Sequence, residues 1–196
     1  GCAVLAQATA SLAQSRGVVV LVPGAGGARP NDFLVRNQAA YRAAGFQTVI
    51  AVGASEAARA AQSQHSGKIY AVGMSAGATH LAQAIAAGAR FDRVVFVSAA
   101  YVQPLRRQSG VGAGVMVSLG DPALLPPTGV VHNSNDACVL TPPGGVGMFV
   151  DWARGRAKAQ WVASTATQSE PCHARSPHGY FEADDAATRA VLGFLR

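Results

Sequence analysis

With 196 residues, 49% of them hydrophobic and 13% charged, the chain has the composition of one globular domain over 1–196 with its own core, and not that of a disordered segment. It contains no run of eighteen or more apolar residues, which excludes a membrane-spanning helix within this sequence. The net charge of +6 comes from scattered basic residues, with Arg106-Arg107 and Arg154 to Lys158 the only small groups and no nucleic-acid motif around them, so no nucleic-acid partner is expected.

In chain order, Val4, Leu5, Ala8 and Leu12 recur at helical spacing and predict an amphipathic helix over 3–14. A leader remnant over 1–16 is the competing reading, since Ala8-Thr9-Ala10 resembles a cleavage site. Val18 to Val22 is the clearest strand, and it runs into the loop Pro23-Gly24-Ala25-Gly26-Gly27, whose amides can approach a ligand closely. Asn31 is placed to cap a helix from Asp32 to Ala44, closed by Gly45. Phe46 to Val52 reads as a second strand, and Ser55-Glu56 opens a helix that ends near His65. Lys68 to Val72 is a short apolar strand of the kind found buried in parallel sheets, and an alanine-rich helix from Ala78 to Ala87 stops at Gly88. Arg93 to Val97 is the fourth strand. Residues 99–128 read as an irregular excursion that includes Val115 to Leu119. Gly129 to His132 is the fifth strand, Val146 to Arg156 a helix, Ala159 to Ala163 the sixth strand, and Asp184 to Leu195 the closing helix. Strands alternating with helices predict an α/β fold: a doubly wound, mostly parallel sheet of about six strands flanked by helices.

Between the third strand and its helix stands Gly73-Met74-Ser75-Ala76-Gly77, read as a tight turn that exposes one serine above the sheet at the positive end of a helix. In so glycine-rich a chain the pentapeptide alone is weak, and the rest of the sequence must support it. Serine becomes nucleophilic only when a base takes its proton, and that base needs an acid to fix its tautomer. Downstream, Asp136 follows the fifth strand and His178 lies between the sixth strand and the last helix.

The order serine, acid, histidine, placed after those elements, resembles that of the α/β-hydrolase superfamily, and the chain looks like a small esterase similar in scale to cutinase-like or dienelactone-hydrolase-like members. The likeness covers residues 17–196. Val22 to Gly27 resembles the oxyanion loop, Val131 to Val139 the acid-bearing loop, and His178-Gly179-Tyr180-Phe181 the histidine loop. The resemblance implies catalytic Ser75, Asp136 and His178, with the backbone amides of Ala25 and Ala76 as oxyanion hole. It also implies ester cleavage through an acyl-enzyme, with no cofactor. Pro23 departs from the common histidine, early strands are missing, and the cap region is very short, as in a minimal or truncated member. So short a cap implies an open cleft for small or surface-accessible esters.

Asp121 and Asp151 compete for the acid, and His173 competes with His178. His132 reads as a core histidine or a support to the site, and His65 and His80 as exposed helix residues. No histidine or cysteine spacing suggests a metal ligand set. A non-catalytic α/β-hydrolase-like binding or secretion-associated protein, and an acyltransferase or peptidase using the same three residues, are the alternative functions.

Cys138 lies two residues after Asp136, and Cys172 six before His178, so a disulfide between them would tie the acid loop to the histidine loop. That places the protein in a secreted or periplasmic setting. Cys2, directly after Gly1, resembles a lipoprotein processing site and implies a lipid anchor there. Three reduced thiols in a cytoplasmic protein are the other reading.

Overall fold

The computed structural model describes residues 15–63, 67–102 and 114–196. The expected helix over 3–14, together with Cys2, His65 and Arg106-Arg107, lies outside them. In chain order the elements are β1 (Val18–Val22), α1 (Phe33–Arg36), α2 (Gln38–Ala43), β2 (Gln47–Ile50), α3 (Ala54–Ser63), β3 (Ile69–Met74), α4 (Ala76–Ala86), β4 (Arg93–Val97), α5 (Val115–Leu119), β5 (Thr128–Asn133), α6 (Gly145–Trp152), β6 (Ala157–Val162) and α7 (Asp184–Phe194).

Six strands form one parallel sheet in the order β2-β1-β3-β4-β5-β6. Its centre is apolar on both faces, because helices cover both. Val20, Val22, Ala71 and Phe96 pack toward α3, α4, α5 and α6, while Val19, Leu21, Val72 and Val97 pack toward α1, α2 and α7. Successive side chains on each strand thus feed opposite cores, as the two-residue period requires. Every residue of β1 and β3 is buried, whereas the edge strands β2 and β6 expose much of theirs. No helix among the described residues is long and apolar enough to cross a membrane.

Three expectations change. The helix expected from Asp32 to Ala44 breaks at Asn37 into α1 and α2, and its cap is Asp32 rather than Asn31. The helix expected through Arg156 ends at Trp152, because Arg154 (φ 49°) and Gly155 (φ 82°) turn the chain straight into β6. Within the segment read as irregular, Val115–Leu119 is a short helix, followed by a single 3-10 turn over Pro122–Leu124.

Candidate active site

Ser75 sits where β3 meets α4, at φ 52° and ψ −119°. That conformation is disfavoured for a residue with a side chain, and the sequence permits it only through its neighbours. A Cβ on Gly77 would lie 2.0 Å from the Val22 carbonyl oxygen, and one on Gly73 would lie 2.7 Å from the Ala78 Cα. Only glycine lets α4 start this close to β1 and β3. The turn is fixed from the far side by the Ser75 amide, which donates to the Val97 carbonyl at 2.9 Å.

Asp136 and His178 come to Ser75 from the ends of β5 and of the loop before α7. His178 Nε2 is 3.2 Å from Ser75 Oγ, and His178 Nδ1 is 2.9 Å from Asp136 Oδ2. Asp136 also accepts from the Cys138 amide (2.9 Å) and the Thr141 hydroxyl (3.0 Å). That same hydroxyl is 3.0 Å from His178 Nδ1. His132 stands on the other side of the carboxylate. Its Nε2 is 3.0 Å from the Thr141 carbonyl and 3.4 Å from Asp136 Oδ2. A carbonyl can only accept, so His132 Nε2 carries the proton, and its fully buried Nδ1 has no partner among the described residues. Burial alone would raise the Asp136 pKa. Hydrogen bonds from His132 and His178, the charge of His178 and the Cys138 amide outweigh it and hold the carboxyl down at about 2.

The backbone around His178 is tied from several directions. Its carbonyl accepts from Ser98 Oγ at 2.9 Å, the Pro177 carbonyl accepts from Asn133 Nδ2 at 3.0 Å, and the Gly179 carbonyl accepts from Arg36 at 2.6 Å. Arg36 also pairs with Asp184 at 2.8 Å, joining α1 to the start of α7. Cys138 and Cys172, 34 residues apart, form a disulfide.

Among the described residues, one side chain hydrogen-bonds to the glycine loop. Asp32 Oδ2 accepts the Gly24 amide at 2.9 Å, while Oδ1 caps α1 by accepting from Leu34 (2.8 Å) and Val35 (3.4 Å). Ala76 follows Ser75 directly, Ala25 lines the same cleft, and neither amide donates to a protein acceptor among the described residues. Ala76 is the first residue of α4, where amides lack intrahelical partners.

Ser75, His178 and the loop 24–27 line one open cleft of about 580 Å³. His173 lines it as well but is exposed. Of the competing acids, Asp121 caps the 3-10 turn through the Ala123 amide (2.8 Å), and Asp151 is exposed on α6. His80, expected to be exposed, is half-buried on α4, and burial lowers its pKa. Asp136, Cys138 and His178 bring potential metal-donor atoms within 4.8 Å of one another. The Cys138 sulfur is part of the disulfide and offers no thiolate, and the His178 and Asp136 atoms bond each other, so this trio does not fit a metal ion.

Sequence reading passed over Asp32, Thr141, Ser98 and Arg36. Only Asp32 left a signal, as a good capping residue just before an apolar helical run.

No family model matches the chain, and no curated protein sequence matches it. Solved structures do. A lipase-esterase related protein from Clostridium acetobutylicum superposes with a TM-score of 0.64 at 9% identity, covering 92% of this chain and 95% of that one. The esterase domain of a Rhodothermus marinus protein gives 0.60 at 11% identity, covering 92% and 89%. A bromoperoxidase from Bacillus anthracis gives 0.62 at 14% identity, covering 92% of each chain. At such identities the likeness carries the architecture and not the chemistry. Together with the parallel sheet and its strand order, these likenesses show that the chain has the α/β-hydrolase fold.

Proposed function

We propose that the protein is a serine hydrolase that cleaves carboxylic esters through an acyl-enzyme intermediate. The observation that carries the reading is the continuous path from Ser75 Oγ through His178 to Asp136, with contacts of 3.2 and 2.9 Å. His178 Nε2 takes the Ser75 proton as Oγ attacks the ester carbonyl, then gives it to the departing alcohol. Water, deprotonated by the same nitrogen, attacks the acyl carbon, the bond to Ser75 Oγ breaks, and His178 returns the proton to Oγ as the acid leaves. Asp136, ionised over the working pH range, holds the His178 ring and offsets its charge in the transition state. The amides of Ala25 and Ala76 receive the oxyanion, and losing one such donor typically costs about 3 kcal/mol.

The disulfide accords with an oxidising setting, secreted or periplasmic, for the whole single-domain chain, with Cys2 as a lipid attachment point. A fluorophosphonate probe tests the reading. Mass spectrometry should find one phosphonyl adduct, on Ser75, and pre-labelled protein should not turn over 4-nitrophenyl esters. An unlabelled Ser75 in folded protein would overturn it.

A further inference from the structure

We propose that the cleft selects short esters carrying a carboxylate, which Arg29 and Arg175 bind. This rests on the reading of Ser75 as the nucleophile. Both arginines line the cleft that Ser75 opens into, Arg29 just past the glycine loop and Arg175 three residues before His178. Among the described residues, neither guanidinium takes part in an ion pair or donates a hydrogen bond to a protein group, while Arg36 on the neighbouring helix pairs with Asp184. Two arginines with planar, charged donors therefore line a substrate-sized space without a protein acceptor.

The carboxylates close by do not answer them. Asp32 lines the cleft, but its oxygens already accept the Gly24, Leu34 and Val35 amides. Asp136 lies across the His178 ring from Ser75, is buried, and accepts from His178, Thr141 and Cys138. What the cleft presents to a ligand is thus cationic, since its charged lining residues are Arg29, Arg175 and the already engaged Asp32.

Both arginines are exposed, and the backbone that carries them is tied. Arg175 lies over the Phe181 ring at 5.4 Å, and its loop is closed by the Gln168 amide on the Arg175 carbonyl (2.7 Å). Ser176 Oγ adds contacts to the Pro171 and His173 carbonyls (2.7 and 2.8 Å), and the Cys172 disulfide anchors the same loop. The Arg29 stem packs on Gly26, its Cδ 3.2 Å from where a Cβ would stand, and the Arg29 amide donates to the Gly27 carbonyl at 2.8 Å. A guanidinium without a protein acceptor matches a carboxylate with paired, charge-assisted hydrogen bonds. Phe33 and Met74 are the large apolar side chains lining the cleft, which suits a short chain better than a long acyl tail.

The test compares kcat/KM for three 4-nitrophenyl esters of equal chain length: the adipate monoester (anionic), the hexanoate (neutral) and the 6-trimethylammoniohexanoate (cationic). Phenyl acetate against 4-carboxyphenyl acetate asks the same of the alcohol side. Each value is divided by that ester's own hydroxide-catalysed rate. In at least one series the anionic ester should lead the neutral one by about tenfold at low salt, with the cationic ester last, and salt should shrink the margin. In Arg29→Gln/Arg175→Gln the anionic-to-neutral ratio should fall to about one. Wild-type ratios at or below one in both series, with Ser75 labelled by the fluorophosphonate, overturn the carboxylate proposal and leave the hydrolase reading standing. A preference that survives in the double variant, or ignores salt, overturns the assignment to these arginines. An unlabelled Ser75 brings down both readings.

Discussion

The loops that carry Asp136 and His178 are cross-tied at many points, whereas among the described residues the glycine loop on the other side of Ser75 makes one side-chain hydrogen bond, to a carboxylate. On the first side, Ser98, Asn133, Arg36 and a disulfide each hold backbone, and Asp136 is buried among four polar partners. On the second, Asp32 joins Gly24 to the start of α1, and Ala25 and Gly26 are exposed. The difference follows from the chemistry each side is proposed to perform. A proton relay needs two buried side chains fixed against each other across 42 residues of sequence, which takes many long-range bonds. An oxyanion donor is a backbone amide, already directed by its own chain, and needs only one restraint plus room for the substrate.

The relay side should therefore fail catastrophically and the glycine loop gradually. His178→Ala should lower kcat/KM on 4-nitrophenyl butyrate by roughly 10⁴-fold or more. His173→Ala, which removes an exposed ring from the same cleft, should change it less than about threefold. Steady-state kinetics on both variants checks this, and the reverse ranking would move the base to His173.

Reducing the disulfide comes next in size. Closing a loop of this length contributes about 4 kcal/mol in the chain-entropy account, a large part of an ordinary domain's 5–15 kcal/mol. Adding reductant, or making Cys138→Ser/Cys172→Ser, should lower Tm by more than ten degrees and reduce activity, as read by calorimetry and ester turnover on the same samples. A Tm that does not move would mean the other ties hold the two loops unaided.

The smallest effect belongs to the glycine loop. Asp32→Ala removes a helix cap, costing about 1 kcal/mol of stability, and releases Gly24. kcat should fall about tenfold with KM nearly constant, because the loop acts on the transition state more than on the bound ester. A stability loss with unchanged kcat would confine Asp32 to capping α1.

Much of the architecture was legible because it is written locally. Val18–Val22 is a contiguous apolar, β-branched run, and its burial on both faces is what such a run demands. Gly77 announced a tight turn, and the approach of the Val22 carbonyl to its missing Cβ is the reason. The order of Ser75, Asp136 and His178 after the third, fifth and sixth strands likewise suggested one end of a parallel sheet, and there they lie in contact. What escaped depends on distant partners. The end of α6 turns on a positive φ at Arg154, which arginine does not advertise. Asp32 has two oxygens serving two segments, visible only once Gly24 and α1 are side by side. Thr141, Ser98 and Arg36 are ordinary residues whose roles exist only across the folded sheet.

The central claim, that Ser75 is the nucleophile of an ester hydrolase, is tested most directly by replacing its Oγ alone. Wild type and Ser75→Ala would be assayed on 4-nitrophenyl acetate and butyrate, with thermal unfolding measured on the same preparations. The account predicts turnover in wild type and a loss of roughly 10³-fold or more in the variant, with Tm shifted by no more than a few degrees. A folded variant that keeps more than a few per cent of wild-type kcat/KM would contradict it.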